Sequence, residues 1–526
     1  MKRPSLVSAG SLNRLLQAAE AAWQQKDFSQ CLDALQSAHR LAPSNTGILL
    51  QLGRIHGLRY DYAAAERCFE SALRIAPKKM EMLAAIADSC QNFRNPAVAE
   101  QFLRRAVALP DATPQICVKL AELCERLRRL PEATELVDRA LALNPAFPAA
   151  LLVRARLERL AGRYEAAVAV LRSFLTKPIA DVWVHTQAWY ELATILDRQE
   201  HYDDAMTAFL NAKSLLRPQA PKYLAELKVM RDRLKVMEAN VSAEMLQRWL
   251  ANAPAMPPPR RLALLCGHAR SGTTLLEQVL DAHPDIVTAE ETKIFHLDVC
   301  LPLAKARPPE PDAADTATFQ LKLEAVEAAP LELLQRLREN YFRSMERCLG
   351  EPLAGRMLVD KNPALWMLIS GFPRVFPEAK FLVALRDPRD VCLSCFTLNL
   401  PPRFEIQRTA YFNLSDIVDK YVEEMTLWRT LAPLMQGRYL EVRYEDMVED
   451  LESVARKTLD FLGLPWDPGV LRFHEQAQQK VMSHGNYKDV SQPVYQRARQ
   501  RWRNYGKYFE PYQNKLEPFV KAFGYD

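Results

Sequence analysis

Nothing in this sequence of 526 residues approaches the ~20 consecutive apolar residues that a membrane-spanning helix needs. Its opening stretch, Met1-Lys2-Arg3-Pro4-Ser5-Leu6-Val7-Ser8-Ala9-Gly10, also lacks the apolar segment of a secretory leader. A cytoplasmic protein with no membrane span is the expectation. A paired cysteine framework is missing as well. The ten cysteines are scattered, and a chain this long can bury enough apolar surface to do without staples. Cys392-x-x-Cys395 stands alone, without a second pair or a histidine at ligand spacing, and reads as two small buried hydrophobes rather than as a zinc or redox site. A marked excess of charge of either sign is missing: a formal net charge of +5 is too weak to argue for a nucleic-acid partner. What remains is a large globular chain, and at about 150 residues per domain it should divide into two to four units.

The first 215 residues repeat themselves. Small residues recur at Ala19, Gly53, Ala87, Ala121 and Ala155, each 34 apart, and again at Ala193 after a four-residue insertion. Ala38, Ala72, Ala106 and Ala140 keep the same step, as do the bulky positions Leu35, Phe69, Leu103, Val137 and Leu171. Pro43, Pro77 and Pro145 close their units, and Phe28, Tyr62, Tyr164 and Tyr202 open the second helix of theirs. The pattern resembles the tetratricopeptide repeat, whose helix–turn–helix unit has this length, with small residues where its helices cross. Six repeats are expected, followed by a closing helix over about 220–250. The resemblance implies an all-α solenoid over 1–250 whose concave face holds another chain; the competing reading is that the helices only cover the second domain.

Residues 251–260, with Pro254 and Pro257-Pro258-Pro259, break the helical pattern and mark a linker. A second Pro-rich stretch at 306–316 reads as a surface insertion. From 261 to 526, apolar runs at 262–266, 356–360, 380–386 and 439–443 alternate with helical stretches, which predicts a parallel sheet wrapped by helices. Ligands of such sheets bind beyond the carboxyl ends of the strands. That is where the motifs fall: Gly267-His268-Ala269-Arg270-Ser271-Gly272-Thr273-Thr274 after the first run, Asp360-Lys361-Asn362-Pro363 after the second, and Arg386-Asp387-Pro388-Arg389 after the third. The first is P-loop-like, a glycine turn opening a helix whose amides can hold an anion. Where an NTPase has the lysine that reaches the β/γ-phosphates, this chain has Thr273, so γ-phosphate hydrolysis is not expected.

Arg270-Ser271-Gly272-Thr273-Thr274-Leu275, Asp281-Ala282-His283-Pro284-Asp285, Glu290-Glu291-Thr292 and Arg386 with Ser394 together resemble sulfotransferases that use 3′-phosphoadenosine 5′-phosphosulfate, most closely the tyrosylprotein sulfotransferases. With the repeats in front, the whole is similar to a bacterial-type tetratricopeptide-repeat sulfotransferase. The resemblance covers roughly 260–510 and implies the following roles. Arg270, Ser271, Gly272, Thr273 and Thr274 cradle the 5′-phosphosulfate, and Arg386 and Ser394 hold the 3′-phosphate. Glu291 is the catalytic base, with Glu290 the adjacent alternative, since two neighbouring carboxylates on an extended segment point opposite ways. Lys361 and Arg270 are cationic stabilisers, Lys361 serving the leaving oxygen. Tyr444 lies near the adenine, and Arg501 belongs to a tail, with His484, Asn486, Tyr487 and Pro493, that closes over the nucleotide. His268 and His283 read as structural. No metal is implied.

The expected reaction moves a sulfuryl group to an acceptor hydroxyl, a peptide or protein tyrosine in the first instance, and releases adenosine 3′,5′-bisphosphate. A small-molecule or carbohydrate hydroxyl is the nearest alternative; a P-loop kinase or NTPase and a non-catalytic repeat scaffold are alternatives of another class. The acceptor, held by the repeat array, is the expected partner, and a homodimer is left open.

Overall fold

The computed structural model describes residues 6–90, 93–176, 179–251, 260–305, 326–363, 371–401, 405–477 and 498–525. Its N-terminal part pairs twelve helices into six repeats: α1 (Leu6–Gln24) with α2 (Phe28–Leu41), α3 (Thr46–Leu58) with α4 (Tyr62–Ile75), α5 (Lys79–Cys90) with α6 (Pro96–Val107), α7 (Pro114–Arg126) with α8 (Leu130–Leu143), α9 (Pro148–Leu160) with α10 (Tyr164–Leu175), and α11 (Val182–Arg198) with α12 (Tyr202–Leu216). Phe28, Tyr62, Tyr164 and Tyr202 open second helices as the repeat frame predicts. Ala38, Ala72, Ala106 and Ala140 are fully buried where the helices cross. Gly53 shows why the crossing demands small residues, since a Cβ there would lie 2.3 Å from the Phe69 ring. Side chains of Asp27, Asn45, Asp61, Asn95 and Asp181 accept from first-turn amides and fix where their helices begin.

The closing helix is two, α13 (Pro221–Asn240) and α14 (Ala243–Ala251). The break comes at Ser242, whose Oγ accepts the Met245 amide and caps the second helix. The expected linker lies outside the described residues except at its ends, as does the insertion at 306–316.

The C-terminal part holds five parallel strands, β1 (Leu262–Gly267), β2 (Ile286–Glu290), β3 (Met357–Lys361), β4 (Lys380–Leu385) and β5 (Tyr439–Arg443), in the order β2-β3-β1-β4-β5. Four match the runs read from sequence. The fifth, β2, was not among them; it is a short β-branched segment, Ile286-Val287-Thr288, that begins after a four-residue turn following a helix. Strands β1, β2 and β3 are buried at every position, as a sheet covered on both faces requires. Parallel register sets Glu290 opposite Lys361 and Leu265 opposite Lys361, so the ends of β2, β3 and β1 meet at one point.

The two parts share one apolar core. Tyr60, Leu152, Ala155 and Phe209 of the repeats belong to the same buried cluster as Leu264, Phe381 and Val383 of the sheet. Polar contacts clasp the seam: Lys213 Nζ, buried over the Phe396 ring at 4.4 Å, donates to the Tyr411 carbonyl, and Arg231 forms a forked pair with Glu423 at 2.7 Å. Among the described residues no helix is long and apolar enough to cross a membrane.

Candidate active site

The turn between β1 and the next helix, α15 (Thr273–Asp281), needs left-handed backbone at Gly267 (φ 143°), Arg270 (φ 74°) and Gly272 (φ 95°). Both glycines are also enforced by close approach. A Cβ at Gly267 would lie 2.5 Å from the Ala384 carbonyl oxygen, and one at Gly272 would lie 2.8 Å from the Tyr444 ring. With glycine at its N-cap, α15 has no side chain bonded to its first-turn amides, so Thr273 and Thr274 open the helix with donors suited to an anion. The turn, β4 and the following helix (Pro388–Phe396) are tied together by arginines. Arg270 Nε donates to Ser394 Oγ at 2.9 Å, and Arg386 donates through Nη1 to the Arg270 carbonyl at 3.3 Å. Arg386 is buried, lies 4.8 Å over the Tyr444 ring, and has at Nε no hydrogen-bond partner among the described residues. Its second amino group donates to the Ala498 carbonyl, and it lies 3.9 Å from Asp390, whose carboxyl burial pushes up to about 6.

Beside this cradle Lys361, only 1% exposed, sits among three carboxylates. Its Nζ donates to Glu291 Oε1 at 2.7 Å and lies 3.6 Å from Glu290 Oε1 and 3.7 Å from Glu277 Oε2. Burial works against its charge, but the three carboxylates outweigh burial and hold the ammonium above its ordinary pKa. The expectation that Glu290 and Glu291 point opposite ways is corrected here. Glu291 has φ 44°, a left-handed turn at the end of β2 that breaks strand alternation and brings both carboxylates to the same lysine. Glu291 is held in place by its own amide, which donates to the Lys361 carbonyl at 2.6 Å. The two differ in access: the Glu291 side chain is 34% exposed and that of Glu290 10%.

Residues 263–468 match the model of a sulfotransferase family, and 118–182 match a tetratricopeptide-repeat model. Over residues 263–468 the C-terminal part of the chain is similar to sulfotransferases. Protein-tyrosine sulfotransferase 1 of Danio rerio is 28% identical over 221 residues, 41% of this chain and 56% of that protein. The human protein of the same name is 30% identical over 222 residues, 41% of this chain and 54% of its own length. An uncharacterised protein of Aquifex aeolicus is 24% identical over 352 residues, 65% of this chain and 43% of that protein. The chain thus spans about half the length of the curated relatives it matches.

Around the cradle the remaining sequence expectations sort by geometry. Tyr444 packs on Gly272 and under Arg386, beside the cradle. Arg501 is not brought to it: its guanidinium donates to Asp197 in α11 at 2.8 Å, an ion pair between the sulfotransferase domain and the sixth repeat. The backbone near it does reach the site, since the Trp502 amide donates to Asp390 and Ala498 receives Arg386. His484, Asn486, Tyr487 and Pro493 lie outside the described residues. His268 donates through Nδ1 to the Ala269 carbonyl at 2.8 Å, and burial lowers its pKa to about 4; His283 bridges the Pro465 carbonyl and the Asp285 amide. Both histidines have structural partners. One charged neighbour had no signal in the motifs. Arg94, from the third repeat, places Nη2 3.7 Å from Glu290 Oε2.

Proposed function

We propose that the protein transfers a sulfuryl group from 3′-phosphoadenosine 5′-phosphosulfate to the hydroxyl of a peptide or protein tyrosine. The observation that carries this reading is the 2.7 Å contact of a buried lysine with a glutamate a third exposed, set beside an anion cradle whose P-loop lysine is replaced by Thr273. The residues fit a donor with two anionic ends. The uncapped start of α15 and Arg270 suit the 5′ end, and Arg386, with Nε unpaired among the described residues, suits a second phosphate next to Ser394. The bound donor supplies an electrophilic sulfur and a bisphosphate leaving group. Glu291 takes the acceptor's proton as the acceptor oxygen bonds to sulfur; Lys361 stabilises the electron pair left on the 5′-phosphate oxygen as its bond to sulfur breaks. Tyrosine is favoured as acceptor by the relatives named protein-tyrosine sulfotransferases. A cytoplasmic location and guidance of the acceptor by the repeat array belong to the same proposal.

Calorimetric binding of adenosine 3′,5′-bisphosphate tests it, beside ATP with Mg²⁺ and with Arg386→Ala. The reading expects bisphosphate binding that weakens at least tenfold in the variant, with the loss of a charge-assisted contact worth about 1.5–3 kcal/mol. Binding of ATP alone would return the chain to the P-loop NTPases.

A further inference from the structure

The left-handed residues Lys26, Tyr60, Arg128 and Gly162 fall in the 34-residue frame, and Glu200 follows after the four-residue insertion, each in the turn between the two helices of its repeat. Arg94 occupies the same place in the frame, between Tyr60 and Arg128. Tyr60 and Arg94 reach the same segment of the sulfotransferase domain. Tyr60 Oη accepts the Lys293 amide at 3.3 Å, and Arg94 stands 3.7 Å from Glu290. Two successive repeats therefore brace the residues that flank Glu291.

Charge makes one of these contacts more than a brace. Around Lys361 lie Glu277 from α15 and Glu290 and Glu291 from the end of β2. Arg94 faces Glu290 and Glu277, Asp360 of β3, Cys348 of the helix Leu331–Leu349, and Tyr60 and Tyr62 of its own array. Its side chain is three-quarters buried. Without Arg94 a single buried ammonium would face three glutamates, and like charges this close cannot all stay ionised. A Glu290 lacking its arginine would compete with Glu291 for Lys361 or take up a proton.

Resting on the sulfotransferase reading above, we propose that Arg94 is a positioning residue of the active site: by engaging Glu290 it keeps Lys361 available to Glu291 and to the departing oxygen, so that the third repeat completes a catalytic centre the sulfotransferase domain only begins. The repeats are then part of the enzyme's chemistry as well as a surface.

The test uses the full chain as wild type, Arg94→Ala, Arg94→Lys, and Arg94→Ala combined with Glu290→Gln, with radiolabelled donor and a pool of tyrosine-containing peptides. Arg94→Ala is expected to lower kcat at least tenfold while bisphosphate affinity by calorimetry stays within about twofold. The acid limb of its pH–rate profile should move up by about one unit, because a carboxylate of the cluster now holds a proton longer. Arg94→Lys should recover part of kcat, and adding Glu290→Gln to Arg94→Ala should restore it to within a few-fold, since the cluster's net charge is back at its original value. A structural brace would gain nothing from neutralising Glu290, so a double variant no faster than Arg94→Ala, or an Arg94→Ala as fast as wild type, overturns the inference alone. If Arg94→Ala fails to fold, Arg94→Met with and without Glu290→Gln makes the same comparison, since methionine fills the space without the charge. A wild type that binds no bisphosphate defeats the functional reading and this inference with it.

Discussion

Replacing Lys361 by methionine keeps the volume and removes the charge, which isolates its electrostatic part. Contacts of 2.7, 3.6 and 3.7 Å to Glu291, Glu290 and Glu277 are each worth about 4–6 kcal/mol gross at an effective dielectric of ~20. Desolvation of the ammonium offsets much of that, and the Glu291 carboxylate, a third exposed, is partly screened by water. Breaking a buried ion cluster by removing one partner should then cost about 3–5 kcal/mol, chiefly through the carboxylates left behind. The pH dependence fixes the cause. With the lysine gone, the folded-state pKa values of these glutamates rise above their unfolded values. A carboxyl with a raised folded pKa favours the fold below the unfolded value and loses that support as pH rises through the folded one. The deficit of Lys361→Met against wild type should therefore be largest near pH 8 and shrink toward pH 5. Urea denaturation midpoints at the two pH values measure it. A deficit below about 1 kcal/mol, or one that grows on acidification, would refute the account of the cluster.

Two further outcomes follow from geometry. Gly272→Ala puts a Cβ 2.8 Å from the Tyr444 ring at a residue with φ 95°; a loss of about 1–3 kcal/mol in stability and a sharp fall in bisphosphate affinity are expected, and unchanged melting and binding would show that the turn tolerates a side chain. Asp197→Asn leaves Arg501 without its 2.8 Å carboxylate and weakens the acceptor of the Tyr505 hydroxyl at 2.7 Å; the denaturation midpoint should drop by the equivalent of about 3 kcal/mol, and a shift within error would mean the clasp is ornamental to the seam.

The repeat step was legible because packing imposes it. Ala72 and Ala106 are small for the same reason in each unit, so one frame located Phe28, Tyr62, Tyr164 and Tyr202 at helix starts. The turn after β1 was legible because close approach and left-handed backbone leave a local trace in glycine. What failed was anything set by contact between distant segments. Strand β2 is five residues long and buried throughout, so it shows neither alternation nor length. The shared orientation of Glu290 and Glu291 depends on a left-handed φ at a non-glycine residue, which no motif announces. Arg501 lies in a basic run whose members look alike until Asp197, some three hundred residues earlier, selects one. Arg94 is a turn arginine like Arg128 or Arg163 until Glu290 stands opposite it.

The seam has a consequence in time. The repeats leave the ribosome first, and at about 5–20 residues per second the residues that cover Leu152 and Phe209 follow over tens of seconds. For that interval the array must hold an apolar edge in water, with Lys213 still solvated and Arg94 facing no carboxylate. Until the sheet arrives the nascent chain carries that apolar flank uncovered, and an interrupted synthesis would leave it so.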